Sequence, residues 1–179
     1  DTGIAPASAE PLRLGTISIN GGRAFLRNSA ASYEVAEFSG INLMLDWHST
    51  RSPAAFRGQV SWRGVTFELT SLLANPGDIL SGQGSPFTLE LQSGLGKLTL
   101  DGALSGTPRW QFAGQIRAST RSAADVLEVT RIDLPMPGRT ERLNFSAQTR
   151  IHANAISLAS LKLELNKNSF DGTLNIIND

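Results

Sequence analysis

The side chains best suited to chemistry are two histidines, His48 and His152, and neither has a second histidine or a cysteine at ligand spacing. A structural or catalytic zinc needs three or four converging donors, so no metal site is expected. Both histidines fall on the polar side of an alternating segment, where a solvated imidazole is the simple reading. The carboxylates Asp46, Glu68, Glu90, Asp101, Glu164 and Asp171 also alternate singly with apolar neighbours, which points each of them to solvent. Glycoside hydrolysis needs two convergent carboxylates, and nothing in their spacing pairs them. Gly94-Leu95-Gly96-Lys97 hints at a phosphate loop, but the leading glycine is absent and Leu98 stands where Ser or Thr is required. Gly82-Gln83-Gly84-Ser85 reads as a flexible loop, and no Gly-x-Ser-x-Gly elbow is present. The chain has no cysteine, so it has no thiol nucleophile, thiolate ligand or disulfide. Asn144-Phe145-Ser146 fits a glycosylation acceptor but lies inside a predicted strand. We therefore expect no enzyme and no cofactor.

What recurs instead is a short pattern: apolar, any, Gly, any, apolar. It occurs at Phe56–Val60, Leu100–Leu104, Phe112–Ile116 and Phe170–Leu174, with a degenerate copy at Phe145–Thr149. Each copy sits in a stretch that alternates apolar and polar, the mark of a strand with one dry face and one wet face. Glycine on the dry face removes a side chain where a sheet bends or where something approaches closely.

Along the chain, residues 1–11 read as a linker or frayed end, and residues 12–179 as one β-rich domain. Leu12–Ile19 is a predicted strand, Asn20-Gly21-Gly22 a tight turn, and Arg23–Asn28 its return. Residues 29–34 read as loop. Ile41, Leu43, Leu45 and Trp47 alternate cleanly, as do Phe56, Gly58, Val60 and Trp62. After Arg63-Gly64 the parity flips to Val65, Phe67 and Leu69, which requires a turn or a bulge, and a two-residue turn is favoured. Ser71–Ala74 reads as one helical turn stopped by Asn75-Pro76-Gly77. Phe87–Leu91 and Leu98–Leu104 form a hairpin turning near Ser93-Gly94, and Trp110, Phe112, Gly114 and Ile116 form the next strand. Ser122–Val129 is the best helix, capped by Thr120 or Ser122 and helped by Asp125 in its first turn. Pro135 and Pro137 end any helix beyond it. Leu143–Ala153, Leu161–Leu165 and Phe170–Ile176 complete the series, with a turn at Asn166-Lys167-Asn168. The fold class is mainly β: a curved antiparallel meander of roughly ten strands with one or two short helices. Such a sheet must close, fold over as a half-barrel, or curl into an open groove to hide its dry face.

Lys+Arg and Asp+Glu both number 16, for a net charge of zero. That balance disfavours nucleic acid as a partner. No apolar run approaches the roughly 18 residues that a membrane helix needs, and no signal peptide is visible. The chain begins at Asp1 rather than Met, and we expect it to be a processed product or a piece excised from a longer parent.

The segments Leu14–Phe25, Leu43–Trp47 and Phe56–Leu69, with the ending Leu158–Ile176, resemble the AsmA-like family, relatives of the TamB-like proteins of Gram-negative envelopes. So does the order of strands, one short helix near residues 122–130, more strands and a glycine-containing last strand. The resemblance runs from about residue 12 to the end. It implies a periplasmic β-rich body belonging to a parent anchored in the inner membrane, linked to outer-membrane biogenesis. It also implies an open groove that carries phospholipid between membranes, with other envelope proteins as partners. The family's N-terminal anchor is not among these residues, and we expect any transport to belong to the longer parent.

On this reading the dry face faces lipid acyl chains through Phe56, Val60, Trp62, Leu100, Trp110, Phe112, Ile116, Phe145, Ile151, Leu163, Phe170 and Leu174. A strand of about six residues spans roughly 20 Å, comparable to one acyl layer. Two other readings stand beside it. One is a structural domain with a closed core that associates through sheet edges. The other is a carbohydrate-binding β-sandwich, which needs Trp47, Trp62 and Trp110 on the wet face, whereas each shares parity with Ile, Val or Phe.

Overall fold

Alternation of apolar and polar residues over so many short segments leaves the chain one economical solution, a meander in which each strand pairs with the next. The computed structural model, which describes residues 13–27, 34–106, 109–131, 142–152 and 155–177, has that form. Among these described residues, ten antiparallel strands make one open sheet in sequence order. They are β1 (Arg13–Arg27), β2 (Glu34–Ser49), β3 (Ala54–Trp62), β4 (Val65–Leu73), β5 (Ser85–Ser93), β6 (Gly96–Ser105), β7 (Gln111–Thr120), β8 (Leu143–His152), β9 (Ala155–Leu165) and β10 (Asn168–Ile177). Helices α1 (Pro76–Leu80) and α2 (Ala123–Thr130) interrupt the series.

The register aligns the dry parity of every strand. One row of paired residues crosses the whole sheet as Ile19, Leu43, Gly58, Leu69, Leu91, Leu98, Ala118, Phe145, Leu163 and Phe170. The adjacent row, on the opposite face, reads Ser18, Met44, Arg57, Thr70, Glu90, Thr99, Arg117, Ser146, Lys162 and Asp171. A slip of one residue anywhere would exchange these faces, so burial of the apolar row fixes the register.

Three glycines of the recurring pattern, Gly58, Gly102 and Gly114, bend this sheet. A Cβ on Gly102 would lie 2.3 Å from the Ala113 carbonyl oxygen and 2.6 Å from the Gly114 Cα. A Cβ on Gly114 would lie 2.3 Å from the Asp101 carbonyl oxygen. Both Cβ directions point to the apolar face. A neighbouring backbone that reaches those positions has risen toward that face, so β6 and β7 fold over it. Gly58 does the same against β2, where a Cβ would meet the Asn42 carbonyl oxygen at 2.0 Å.

Several local expectations change. Asn20-Gly21-Gly22 is a bulge inside the single long strand β1, because β2 is long enough to pair along all of it. Gly21 takes φ 64° and its N–H donates to Asn42 Oδ1 at 2.9 Å. Ser71–Leu73 belongs to β4, and Pro76 opens α1 instead of stopping a helix. Proline fits a first helical position, where its missing N–H has no partner to lose. β7 starts at Gln111, which leaves Trp110 outside the strand.

Other local expectations stand. Arg63 (φ 50°) and Gly64 (φ 79°) are the two turn residues between β3 and β4, both left-handed as a type I′ hairpin requires. Ser122 Oγ accepts the Asp125 N–H at 3.2 Å and caps α2. Ser122→Ala should therefore cost about 1 kcal/mol, measurable as a lower urea midpoint. Pro135, Pro137 and residues 29–33 of the predicted 29–34 loop lie outside the described residues, while Glu34, its last residue, begins β2.

Candidate functional site: the apolar face

The two helices sit at opposite ends of the strands. α1 lies at the end marked by Ala54, Ser85 and Phe112, where the Gly77 N–H donates to the Thr50 carbonyl at 2.9 Å. Packing is tightest here: Ala54, Ile79, Ser85 and Phe112 are all buried. The Ser85 hydroxyl accepts the Asn75 N–H at 2.8 Å, and Phe87 meets Phe112 edge-on at 6.1 Å. α2 lies at the other end, marked by Trp62, Gly96, Thr120 and Leu143. Arg63 Nη1 donates to the Val129 carbonyl at 2.7 Å, tying the C-terminal turn of α2 to the β3–β4 turn. The Arg63 guanidinium also stacks on the Trp62 ring at 4.9 Å.

Between these ends the dry face is covered unevenly. The middle strands are half-buried, while apolar side chains near both sheet edges stay open to solvent. Ile17, Ile19 and Leu26 on β1 are about half exposed, as are Phe170, Leu174 and Ile176 on β10. A soluble domain with a closed core would hide such residues; here the sheet has two free edges and no second sheet among the described residues.

The structure brings all the sequence-predicted lining residues except Trp110 onto this face. Phe145, Leu163 and Phe170 are consecutive in one row, Leu100 pairs with Ile116, and Phe112 pairs with Ile151. Phe56 pairs with Leu45, Val60 with Phe67, and Leu174 with Leu158. Trp62 stacks on Phe38 with ring centroids 6.4 Å apart. Trp110 is 63% exposed and lies in the connection before β7, close to Gly106. Residues that the recurring pattern missed are Leu91, Leu98 and Leu143 on the strands beneath α2, and Val126 and Val129 on α2 itself. The signal for the helical pair was their i,i+3 spacing on a helix following a strand.

Among the described residues, three polar atoms on the dry side are buried without a protein partner: Trp47 Nε1, Trp62 Nε1 and Thr149 Oγ1. Each carries a desolvation cost that a bound polar group or water could offset.

The wet face holds the titratable groups. His48 Nε2 lies 3.0 Å from Asp46 Oδ1, with the His48 side chain exposed and that of Asp46 half-buried. Lys97 pairs with Glu90 at 2.8 Å, and Asn144 Nδ2 donates to Glu164 Oε2 at 3.2 Å. Gly94-Leu95 is the β5–β6 turn, so the phosphate-loop look-alike is a hairpin. Among the described residues no cluster of three His, Cys, Asp or Glu gathers, and no helix is long and apolar enough to cross a membrane. The chain matches no protein-family model, no curated protein and no solved structure.

Proposed function

We propose that this chain is a non-enzymatic β-groove module of an AsmA-like envelope protein, acting in the periplasm as part of a parent anchored in the inner membrane. Its apolar concave face holds phospholipid acyl chains and supports outer-membrane assembly. The observation that carries this reading is the unbroken apolar row across ten strands of an open sheet, half-exposed at both edges. Its chemistry suits a hydrocarbon ligand: burying apolar area gains roughly 25 cal/mol per Å² and needs no directional partner. The family likeness of Leu14–Phe25, Phe56–Leu69 and Leu158–Ile176 supports the envelope setting.

A second reading takes the free β10 edge, exposed at every residue, as a strand-addition site for another envelope protein. The two readings separate by experiment. Phospholipid should co-purify with the native chain and be extractable from it. Phe170→Asp, at an exposed edge position, should reduce that lipid several-fold without loss of the β circular-dichroism signal. Leu163→Asp and Ile116→Asp should remove more lipid but also threaten folding, because they bury a charge. A folded Phe170→Asp protein that keeps its full complement of lipid removes this face as the lining.

A further inference from the structure

The two ends of the groove differ. Under α1, buried side chains fill the space between helix and sheet. Under α2, a hollow of about 230 Å³ remains on the dry face, with Trp62, Phe67, Leu91, Leu98, Val126 and Leu143 in its wall. An apolar cavity of about 150 Å³ holds benzene, so by proportion this one holds about nine carbon atoms.

The hydroxyls on the dry wall are already engaged. Ser93 Oγ accepts the Leu95 N–H at 3.2 Å, and Thr120 Oγ1 donates to the Leu95 carbonyl. Thr130 Oγ1 donates to the Val126 carbonyl at 2.8 Å. Lys97 borders the hollow, but its register places it in a wet row with Gln92, Ser119 and Asn144, and it pairs with Glu90. The dry side therefore offers no partner to a charged head. A hydrocarbon chain needs none, because burial of apolar surface is not directional.

The roof of the hollow is α2, and a residue distant in sequence fixes its C-terminal end. The last carbonyls of a helix have no partner within it, and Arg63 Nη1 supplies one to Val129 at 2.7 Å. Arg63 does so from φ 50°, a left-handed conformation that costs a non-glycine residue roughly 1–2 kcal/mol. Asn is the favoured residue at that turn position. A strained residue whose side chain reaches another element points to a use for that side chain.

We infer that the hollow under α2 is a pocket for the methyl end of one acyl chain, with Arg63 as the positioning residue that fixes its roof. The assignment rests on the groove reading for the class of ligand. It adds where the chain ends, which way it points and how much of it is held. The head and the rest of a longer chain stay outside the pocket, in the open part of the groove.

Trp62 reports on occupancy. In a Trp47→Phe/Trp110→Phe protein it is the sole tryptophan, and bromine quenches it on contact. Below its micelle concentration 16-bromohexadecanoate, with bromine at the methyl end, should quench it saturably. The isomer 2-bromohexadecanoate, with bromine beside the carboxylate, should compete for the site but quench little. Val126→Phe, which fills the hollow from the helix side, should abolish the quenching while circular dichroism stays unchanged. Arg63→Asn keeps the hairpin, since Asn-Gly is its favoured pair. It should still weaken binding of the 16-bromo acid about tenfold, the worth of one charge-assisted hydrogen bond. Arg63→Lys, which keeps a cationic donor, should recover most of that loss. Equal quenching by the two acids, absence of saturation, or indifference to Val126→Phe overturns the pocket. Indifference to Arg63→Asn, or no rescue by lysine, overturns the role of Arg63. Phospholipid that co-purifies while the 16-bromo acid fails to quench leaves the groove reading standing without the pocket. Saturable quenching with no co-purifying phospholipid keeps the pocket, for a free fatty acid, and ends the groove reading.

Discussion

Gly114→Ala should lower the unfolding free energy by about 2–3 kcal/mol, although it adds only one methyl group to a strand. Alanine is ordinarily the better strand residue on entropic grounds, so the expected sign is set by geometry. The new Cβ would sit 2.3 Å from the Asp101 carbonyl oxygen and 2.5 Å from the Gly102 Cα. Both are backbone atoms, which cannot rotate away. β6 and β7 would have to move apart at a pair bonded without any register shift. Gly102→Ala should cost a similar amount for the reciprocal reason. The double substitution should cost less than the sum, because the first methyl already flattens the fold that the second would oppose. Gly172→Ala is the control: it occupies the same motif position, yet a Cβ there meets nothing within 4 Å. Its effect should stay within about 0.5 kcal/mol. Urea midpoints for the four proteins test this directly. Equal small effects at 114 and 172 would mean that the sheet does not bend at Gly102 and Gly114.

Phe112→Ala should be the most damaging apolar truncation among the predicted lining residues, at about 3–4 kcal/mol. Phe112 is 5% exposed and packs edge-on against Phe87 at the end plugged by α1. Truncation leaves a cavity, and the neighbouring β-sheet backbone collapses into it only in part. Phe170→Ala removes the same side chain from the same face at an edge strand, where it is 54% exposed. That change should cost less than about 1 kcal/mol. The contrast separates two roles within one apolar face: Phe112 holds the fold, and Phe170 is available to a ligand. Similar losses at both positions, measured by thermal or urea unfolding, would mean that the β10 side of the sheet is packed.

Period-two alternation was enough to assign nearly every strand and the face of each predicted lining residue except Trp110. Local chemistry was enough for the Arg63-Gly64 hairpin and the Ser122 cap, since each depends on residues within one turn. Asn20-Gly21 misled because a glycine pair serves a turn or a bulge equally well. The length of the partner strand β2 decides between them, and that is a tertiary fact. Pro76 misled because proline both ends helices and begins them. The recurring glycines were visible in the sequence, but their role was not: Gly102 and Gly172 look alike as motifs, and only the approach of β7 distinguishes them. The hollow under α2 was out of reach for the same reason, because it draws its wall from β3 to β8.

The most direct test of the central claim is photocrosslinking to lipid from the two faces of the sheet. Phe170 and Phe25 are nearly equally exposed, at 54% and 48%. Phe170 shares the apolar row with Leu163, whereas Phe25 pairs with Glu37 on the polar face. With benzoylphenylalanine at one position or the other, the chain is incubated with phosphatidylethanolamine–phosphatidylglycerol vesicles, irradiated and weighed by mass spectrometry. The account predicts phospholipid adducts at position 170 and few or none at position 25. Equal labelling of both positions, or no adduct at 170, would contradict it.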